Sequence, residues 1–214
     1  MRRRPTAMAA ALVAAFALAF ASCSIPALGG GKTAQPGGTA SAGTAAAMTD
    51  LPIITEVMSS NSGAITSSDG KYGDWIELYN PTGRAINLQG FALSDNLKKP
   101  TKAVLPSFTL EPGEYAIVFA DGLESTKDEL HVPFKLKASG TPLILVEPNG
   151  TQVQSITVPE LPSNASYALD MADRKTWTVT EYYTPGFQNT NEGHAAFLET
   201  RRATAPVVIS EVMA

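Results

Sequence analysis

The stretch DWIELYNP, beginning at Asp74, restricts the fold more than any other part of the sequence. Within it, the aliphatic residues Ile76 and Leu78 alternate with two aromatic residues and a glutamate. A period of two is typical of a β-strand with two different faces, and the Asn-Pro-Thr-Gly that closes the stretch has the composition of a turn. We therefore predict a strand that buries Ile76 and Leu78 in a core. Its other, outer face carries Trp75, Glu77 and Tyr79.

Further short strand-like runs fill residues 51–190, and turn signals separate them about every eight to twelve residues. The clearest runs lie at residues 53–58, 91–95, 115–120, 143–146, 166–169 and 176–179. The Asn149-Gly150 pair predicts a hairpin, and the strand after it should contain a bulge because Val153 and Ile156 break the alternation. None of these runs has a helical stripe. The pattern indicates an all-β domain, either a β-sandwich or a barrel.

Composition removes several classes of function. The chain has one cysteine, so it cannot form a disulfide within itself, and it has two histidines, too few for most zinc sites and nucleophile–histidine pairs. The formal charge is −4, and without residues 1–22, which hold three arginines and no acid, 13 basic residues face 20 acidic ones, giving −7. An acidic protein of this kind is a poor partner for nucleic acid. No phosphate-binding loop, serine elbow or paired-carboxylate motif occurs in the sequence.

The first 22 residues have the organisation of an export signal. Three arginines at positions 2–4 precede an uncharged, alanine-rich run at residues 7–21, which has the length of a signal-peptide core and is short for a membrane span. Ala21 and Ser22 stand directly before Cys23, and this end resembles a bacterial lipobox. The resemblance implies cleavage before Cys23, a diacylglycerol on its sulfur, and attachment to the outer side of the cell membrane. The alternative is an ordinary signal peptide with an incidental cysteine.

Residues 23–50 are rich in Gly, Ala, Ser and Thr and have no periodic apolar face. Such a composition predicts a flexible linker. A linker of this kind would hold the following domain, residues 51–190, clear of the membrane surface.

Six segments, in their order and spacing, resemble the lamin tail domain in its bacterial form. They are EVMSSN (56–61), DWIELYN (74–80), LQGFALSD (88–95), FTLEPGEY (108–115), LILVEPNG (143–150) and TPGFQN (184–189). The resemblance implies an immunoglobulin-like β-sandwich that serves as a binding or targeting module and brings no catalytic residues. In bacteria the family occurs on exported proteins, often repeated, beside hydrolase domains or kinase domains of the spore-coat protein H type.

Two hypotheses about function follow. In the first, the chain is a non-catalytic interaction module of an exported, lipid-anchored surface protein. In the second, it is the N-terminal accessory domain of a larger exported enzyme, a kinase or hydrolase, whose catalytic part lies beyond Ala214. A β-sandwich hydrolase with an unrecognised site is less well supported, because the domain is so poor in histidine and cysteine.

Two groups of residues are candidates for a site. Trp75, Glu77 and Tyr79 combine aromatic rings with a carboxylate, which could bind a glycan or a partner protein, although such rings also pack under loops. The oxygen-bearing residues around the first loop could hold Ca²⁺, the only cofactor that the sequence suggests, or could instead stabilise turns. These residues are Glu56, Asn61, Asp69 and Asp74.

The end of the chain repeats an earlier strand. ISEVM at residues 209–213 differs from ITEVM at residues 54–58 only by Ser for Thr. Residues 191–206 are polar, with a short helix expected at 192–202, and form the predicted linker. We therefore expect residues 207–214 to begin a second domain of the same kind; chance recurrence of strand-favouring residues is the alternative.

Overall fold

A computed structural model of the protein describes residues 50–204. This part of the chain folds into twelve β-strands and one helix. The strands are β1 Ile53–Met58, β2 Trp75–Tyr79, β3 Ile86–Asn87, β4 Ala92–Ser94, β5 Ala103–Val104, β6 Thr109–Leu110, β7 Tyr115–Phe119, β8 Leu130–His131, β9 Thr141–Val146, β10 Gln152–Val158, β11 Ser166–Leu169 and β12 Trp177–Thr180, and the helix is α1 Asn191–Thr204.

The strands form a sandwich of two main sheets. One sheet has the order β12-β11-β1-β2-β7-β8 and the other β10-β9-β4-β5, while β3 and β6 make a small ribbon. All neighbours are antiparallel except β7 and β8. Side chains from both sheets join in one apolar core, for example Ile54, Ile76 and Leu78 from the first sheet and Leu93 and Leu143 from the second. The predicted immunoglobulin-like β-sandwich is confirmed.

The strand predictions agree with the structure in detail. Ile76 and Leu78 on β2 are completely buried, as the alternation predicts. The Asn149-Gly150 pair turns β9 into β10, and Gly150 has the positive φ of 85° that this turn needs. The predicted bulge in β10 is present as a register shift between Gln152 and Gln154.

A second bulge, in β1, was not predicted. The register with β2 shifts between Ile54 and Glu56, so that Ile54 and Val57 both enter the core although they are three residues apart. Thr55 and Glu56 consequently both lie on the outer side of the sheet. The side-chain amide of Gln154 accepts from the Ile54 N–H at 2.7 Å and donates to the Ile54 carbonyl at 3.2 Å, which ties the second sheet to the bulge.

A third layer covers the outer face of the six-stranded sheet. We call residues 184–189 the closing segment. Its first residue, Thr184, is buried, and its last, Asn189, donates to the carbonyls of Thr55 and Leu169 at 2.8 and 2.9 Å. The neighbouring Tyr183 packs against the apolar cluster of Met58, Ala64, Trp75 and Phe119.

This layer decides between the two interpretations of the outer face of β2. Trp75 is completely buried in the apolar cluster against which Tyr183 packs, which agrees with the alternative that its ring packs under a loop. Glu77, predicted to lie outside, is also completely buried, and the Gly186 N–H donates to it. Only Tyr79 is half-buried, with its ring centroid 4.5 Å from that of Tyr115 on β7. Alternation along one strand specifies two faces, but it cannot reveal that a segment about a hundred residues later in the chain buries the second face.

Helix α1 extends this layer. The hydroxyl of Thr190 accepts from the Gly193 N–H at 3.0 Å and caps the start of the helix, while Phe197 is buried against Tyr183. A side chain on Gly193 would overlap the carbonyl oxygen of Gln188, so this glycine permits the close approach of helix and closing segment. The stretch predicted as a linker thus contains a 14-residue helix that is packed on the sandwich.

The predictions for the two ends of the chain fall outside the described residues. They concern the signal peptide at residues 1–22, the linker at residues 23–50 apart from its last residue, and the repeated strand at residues 207–214. Within residues 50–204, no helix has the length and the apolar character needed to cross a membrane.

Candidate functional site

Two carboxylates face each other across the centre of the six-stranded sheet. Glu56 on β1 is the register partner of Glu77 on β2, and both side chains are 0% exposed. Carboxylates are almost never buried to this extent without dedicated partners. The sequence suggests Glu56 for a metal site or for turn stabilisation and Glu77 for the outer face of β2, and no pattern in it brings the two together.

Neutral donors from the closing segment and its neighbours satisfy the pair. Glu56 accepts from the Ser166 hydroxyl at 2.5 Å and from the N–H and hydroxyl of Thr184, each at 3.0 Å. Glu77 accepts from the Thr55 hydroxyl at 2.6 Å and from the Gly186 N–H at 2.7 Å. Both carboxylates therefore hold the same segment, and we call this arrangement the carboxylate latch.

Burial disfavours ionisation of the two latch carboxyls. Removal from water raises the pKa of Glu56 to about 7, against the lowering effect of the hydrogen bonds from Ser166 and Thr184. Burial, and then the negative charge of Glu56, raise the pKa of Glu77 well above its ordinary value. The pair consequently retains a proton near neutral pH.

The latch resembles an acid–base pair in composition, but its location gives it a structural role. Neither carboxylate is exposed in this conformation, and a general acid or base must reach the proton that it transfers within hydrogen-bond distance. The hydrogen bonds join β1, β2, β11 and the closing segment. The chemistry of the pair therefore serves to fasten the third layer of the domain.

An open polar cavity lies at the end of the β2–β7 pair. It has a volume of about 320 Å³, near the lower end of the range for ligand pockets, about 300–1,000 Å³. We call it the Tyr72 cavity. Its lining residues are Asp69, Lys71, Tyr72, Gly73, Asp74, Ala120, Asp121, Leu123 and Lys135. Its two large exposed apolar side chains are Tyr72, exposed by 50%, and Leu123, exposed by 49%.

The acidic groups of the cavity already have partners. Asp69 pairs with Lys71 at 2.7 Å, and the hydrogen bonds from Lys71 and Ser67 hold its pKa below the ordinary value. Burial raises the pKa of Asp74, while the N–H groups of Asn61 and Leu136 and the charge of Lys135 oppose the rise. The cavity thus offers donors and acceptors without a large unbalanced charge.

A histidine cluster supports one wall of the cavity. His131 is buried, with Nδ1 at 2.9 Å from Asp121 Oδ2 and Nε2 at 3.0 Å from Glu129 Oε2. Glu129 in turn accepts from the N–H and hydroxyl of Ser68, at 2.9 and 2.7 Å. Partial burial opposes ionisation of Glu129, but the hydrogen bonds from Ser68 and His131 outweigh it and lower its pKa. The nearest serine hydroxyl to the histidine backbone, that of Ser125, bonds the main chain of His131 and not its ring. The cluster therefore positions Asp121 and the first loop.

The residues predicted to bind metal are distributed over different features. Glu56 belongs to the carboxylate latch, and the Asn61 side chain donates to the carbonyls of Ile65 and Gly73 at 2.7 and 2.8 Å. Asp69 and Asp74 line the Tyr72 cavity. Within residues 50–204, no three His, Cys, Asp or Glu side chains are grouped so that they could hold a metal ion. The structure does not assemble the four residues into one site.

Comparison with known families assigns the domain. Residues 45–160, more than half of the chain, match the family model described as Lamin Tail Domain. The chain belongs to the lamin tail domain family. No curated protein matches the sequence. The matched stretch of this lamin tail domain contains Glu56, Glu77 and the Tyr72 cavity, whereas Ser166, Thr184 and Gly186, which complete the latch, follow it in the chain.

The sequence analysis did not identify the residues that bond to His131 or to the two latch glutamates. Asp121 and Glu129 meet His131 because β7 and β8 pair in parallel, with Phe119 opposite His131. Thr184 and Gly186 enter the sequence analysis only as part of the family segment TPGFQN. The signal that could have found the latch is the coincidence of two glutamates on adjacent strands with a hydroxyl-bearing and glycine-bearing motif at the end of the domain.

Proposed function

We propose that this lamin tail domain protein is an exported, lipid-anchored, non-catalytic binding module that takes a short neutral saccharide in the Tyr72 cavity. Membership of the lamin tail domain family supports the non-catalytic part. The observation that carries the ligand site is the cavity itself, in which an exposed aromatic ring stands beside several hydrogen-bonding groups.

The charge arrangement favours a neutral ligand over an ionic one. Asp69 pairs with Lys71 at 2.7 Å, and the positive charge of Lys135 acts on Asp74. A cation or an anionic group would need an unbalanced charge of the opposite sign. A saccharide instead needs donors, acceptors and an apolar platform, and Lys135, Asp74 and the half-exposed ring of Tyr72 offer these in one cavity.

The leader supports display on the cell surface. The three arginines, the apolar run and Cys23 have the arrangement of a lipoprotein signal, and the lipid on Cys23 would anchor the protein on the extracytoplasmic face of the membrane. Replacement Cys23→Ala should release the protein from the membrane fraction or leave it as an unprocessed precursor. A variant that fractionates and migrates like the wild type would contradict the anchor.

The repeated strand supports a protein with a second domain of the same kind. ISEVM at residues 209–213 keeps a hydroxyl where Thr55 bonds Glu77, and Glu211 stands where Glu56 bonds Thr184. The copy therefore preserves the hydroxyl and the glutamate that the latch uses. Chance recurrence of strand-favouring residues would not require these two groups. Sequencing of the reading frame past Ala214 tests this proposal, and it also tests the alternative in which an exported kinase or hydrolase follows.

A binding experiment tests the cavity. The full chain, purified in a detergent without a sugar headgroup, is titrated by NMR with glucose, galactose, N-acetylglucosamine and their β-1,4-linked disaccharides. At least one sugar should bind, and Tyr72→Ala should weaken it by about tenfold, the effect of losing a ring contact of about 1.4 kcal/mol. Tyr72→Phe should retain most of the affinity, because the ring supplies the platform.

The matched control is Tyr182→Ala, since Tyr182 is 62% exposed and lies outside the cavity lining. This variant should bind like the wild type. The proposal is overturned if none of the sugars binds at millimolar concentration, or if Tyr72→Ala and Tyr182→Ala bind equally well.

A further inference from the structure

The third layer, formed by the closing segment and helix α1, covers the six-stranded sheet. It is attached to the sheet at two ionisable groups, the carboxyls of Glu56 and Glu77. The N–H groups of Thr184 and Gly186 donate to Glu56 and Glu77, respectively, at 3.0 and 2.7 Å. Tyr183, directly before the closing segment, packs both on the apolar cluster that contains Trp75 and on Phe197 of helix α1. Movement of the closing segment would therefore carry the helix contact with it and open one side of the cluster that holds Trp75.

The two glutamates have little to balance a second negative charge. They are register partners on adjacent strands and both are completely buried. Their donors are the hydroxyls of Thr55, Ser166 and Thr184 together with two backbone N–H groups. Neutral donors of this kind can stabilise one shared charge, but two like charges in a dry site repel strongly.

We propose that the carboxylate latch is a pH-operated fastener: the closing segment and helix α1 stay on the sheet while the pair holds a proton, and they are released when both carboxyls ionise. Release exposes Trp75 and the outer face of β2. The device resides in the fold and does not depend on which ligand the Tyr72 cavity takes.

The direction of the pH effect follows from linkage. The pKa of Glu56 is raised to about 7 and that of Glu77 is raised well above its ordinary value. The closed state therefore binds protons that the open state releases. The stabilisation is complete below the pKa of a solvent-exposed glutamate, about 4.3, and it is lost as the pH rises through about 7 and beyond.

The effects of other titratable groups near the latch must be distinguished from those of Glu56 and Glu77. The closing segment TPGFQN has none. On β7, burial and then the charge of Glu77 raise the pKa of Tyr115, and Tyr79 on β2 is its neighbour. On α1, His194 Nδ1 lies 2.7 Å from the Tyr183 carbonyl. On β11, the Tyr167 ring stacks on Trp177, with a centroid distance of 5.0 Å. The raised pKa keeps Tyr115 neutral in work below pH 9, and the histidine on α1, which contacts the residue before the closing segment, receives a control variant.

Fluorescence quenching provides the test. The chain has two tryptophans, so Trp177→Phe leaves Trp75 as the single reporter. In the full chain, acrylamide quenching of Trp75 should increase several-fold and reversibly between pH 6 and pH 9, while the far-ultraviolet circular dichroism of the sheets is retained. Chymotrypsin cleavage after Tyr183 or Phe187, normalised to a peptide substrate at each pH, should rise over the same range.

Two variants identify the responsible groups. Glu77→Gln keeps an acceptor oxygen and removes one ionisable group, so it should abolish the rise in quenching. His194→Gln should leave the rise unchanged. If Glu77→Gln does not fold, the wild-type proteolysis profile still shows whether the closing segment is released between pH 6 and pH 9. The comparison with His194→Gln then shows whether the histidine causes the release. Quenching and cleavage that stay flat from pH 6 to pH 9, a rise that persists in Glu77→Gln, or a rise that His194→Gln removes would overturn the proposal.

Discussion

The carboxylate latch and the Tyr72 cavity contain the same kind of acidic residue in opposite surroundings. Glu56 and Glu77 are 0% exposed and are bonded by hydroxyl and backbone N–H groups. Asp69 in the cavity is exposed and pairs with Lys71 at 2.7 Å. The pKa of each latch carboxyl rises because of burial, whereas the pKa of Asp69 falls because of its hydrogen bonds with Lys71 and Ser67. The surroundings, and not the residue type, decide whether a carboxylate fastens the fold or faces a ligand.

The cover causes this difference. The latch lies under the closing segment, near the centre of the sheet, while the cavity lies at the end of β2 and β7, past the covered area. A carboxylate under the cover must satisfy backbone donors that water cannot reach. A carboxylate in the cavity can exchange its partners with water. Three substitutions test how far the two regions differ.

The largest effect on stability is expected for Glu56→Ala, measured at pH 6. The loss of the acceptor strands the buried N–H of Thr184 and the hydroxyl of Ser166, while the Thr184 hydroxyl can still donate to Asn189 Oδ1, so the change should cost about 2–4 kcal/mol of unfolding free energy. Relief of repulsion from Glu77 is small at this pH, because the pair still holds a proton. Urea denaturation measures the change, and the control Asp69→Ala should denature at the wild-type urea concentration. Equal midpoints for the two variants would remove the distinction between latch and cavity.

A smaller effect is expected for Gly193→Ala in helix α1. The new methyl group would overlap the Gln188 carbonyl and push the helix away from the closing segment. Overpacking costs about 1–3 kcal/mol, which exceeds the gain of up to about 1 kcal/mol in helix propensity. Thermal unfolding should show a lower Tm. Gly83→Ala is the matched control, since a Cβ at Gly83 meets nothing within 4 Å, and a Tm for Gly193→Ala equal to that of this control would show that the helix is not part of the cover.

The smallest effect on stability is expected for Tyr72→Ala. Half of this side chain is exposed, so its removal takes little apolar area out of the fold and should change the unfolding free energy by less than about 0.5 kcal/mol. The same variant should lose saccharide affinity, as proposed above. If urea denaturation shows a loss as large as that of Glu56→Ala, Tyr72 supports the fold and its exposed ring is not a ligand platform.

Local sequence determined the strands and the fold class. The alternation around Ile76 and Leu78, the Asn149-Gly150 turn and the broken alternation at Val153 each depend on residues close in the chain. Patterns of this range specify backbone geometry and one buried face. Together with the order of the family motifs, they were sufficient to predict an immunoglobulin-like sandwich.

Tertiary structure alone decided what the polar residues do. Glu77 lies on the face that alternation marks as outer, yet it is buried because Gly186, 109 residues further along the chain, donates to it. Glu56 is separated from Thr184 by 128 residues, and the bulge that turns Glu56 toward Thr184 depends on pairing with β2. Burial and hydrogen bonding between distant segments leave no periodic signal in either segment. The sequence by itself therefore determined where strands form, and only the packing of the closing segment and helix α1 decided which carboxylates became a latch and which stayed open to solvent.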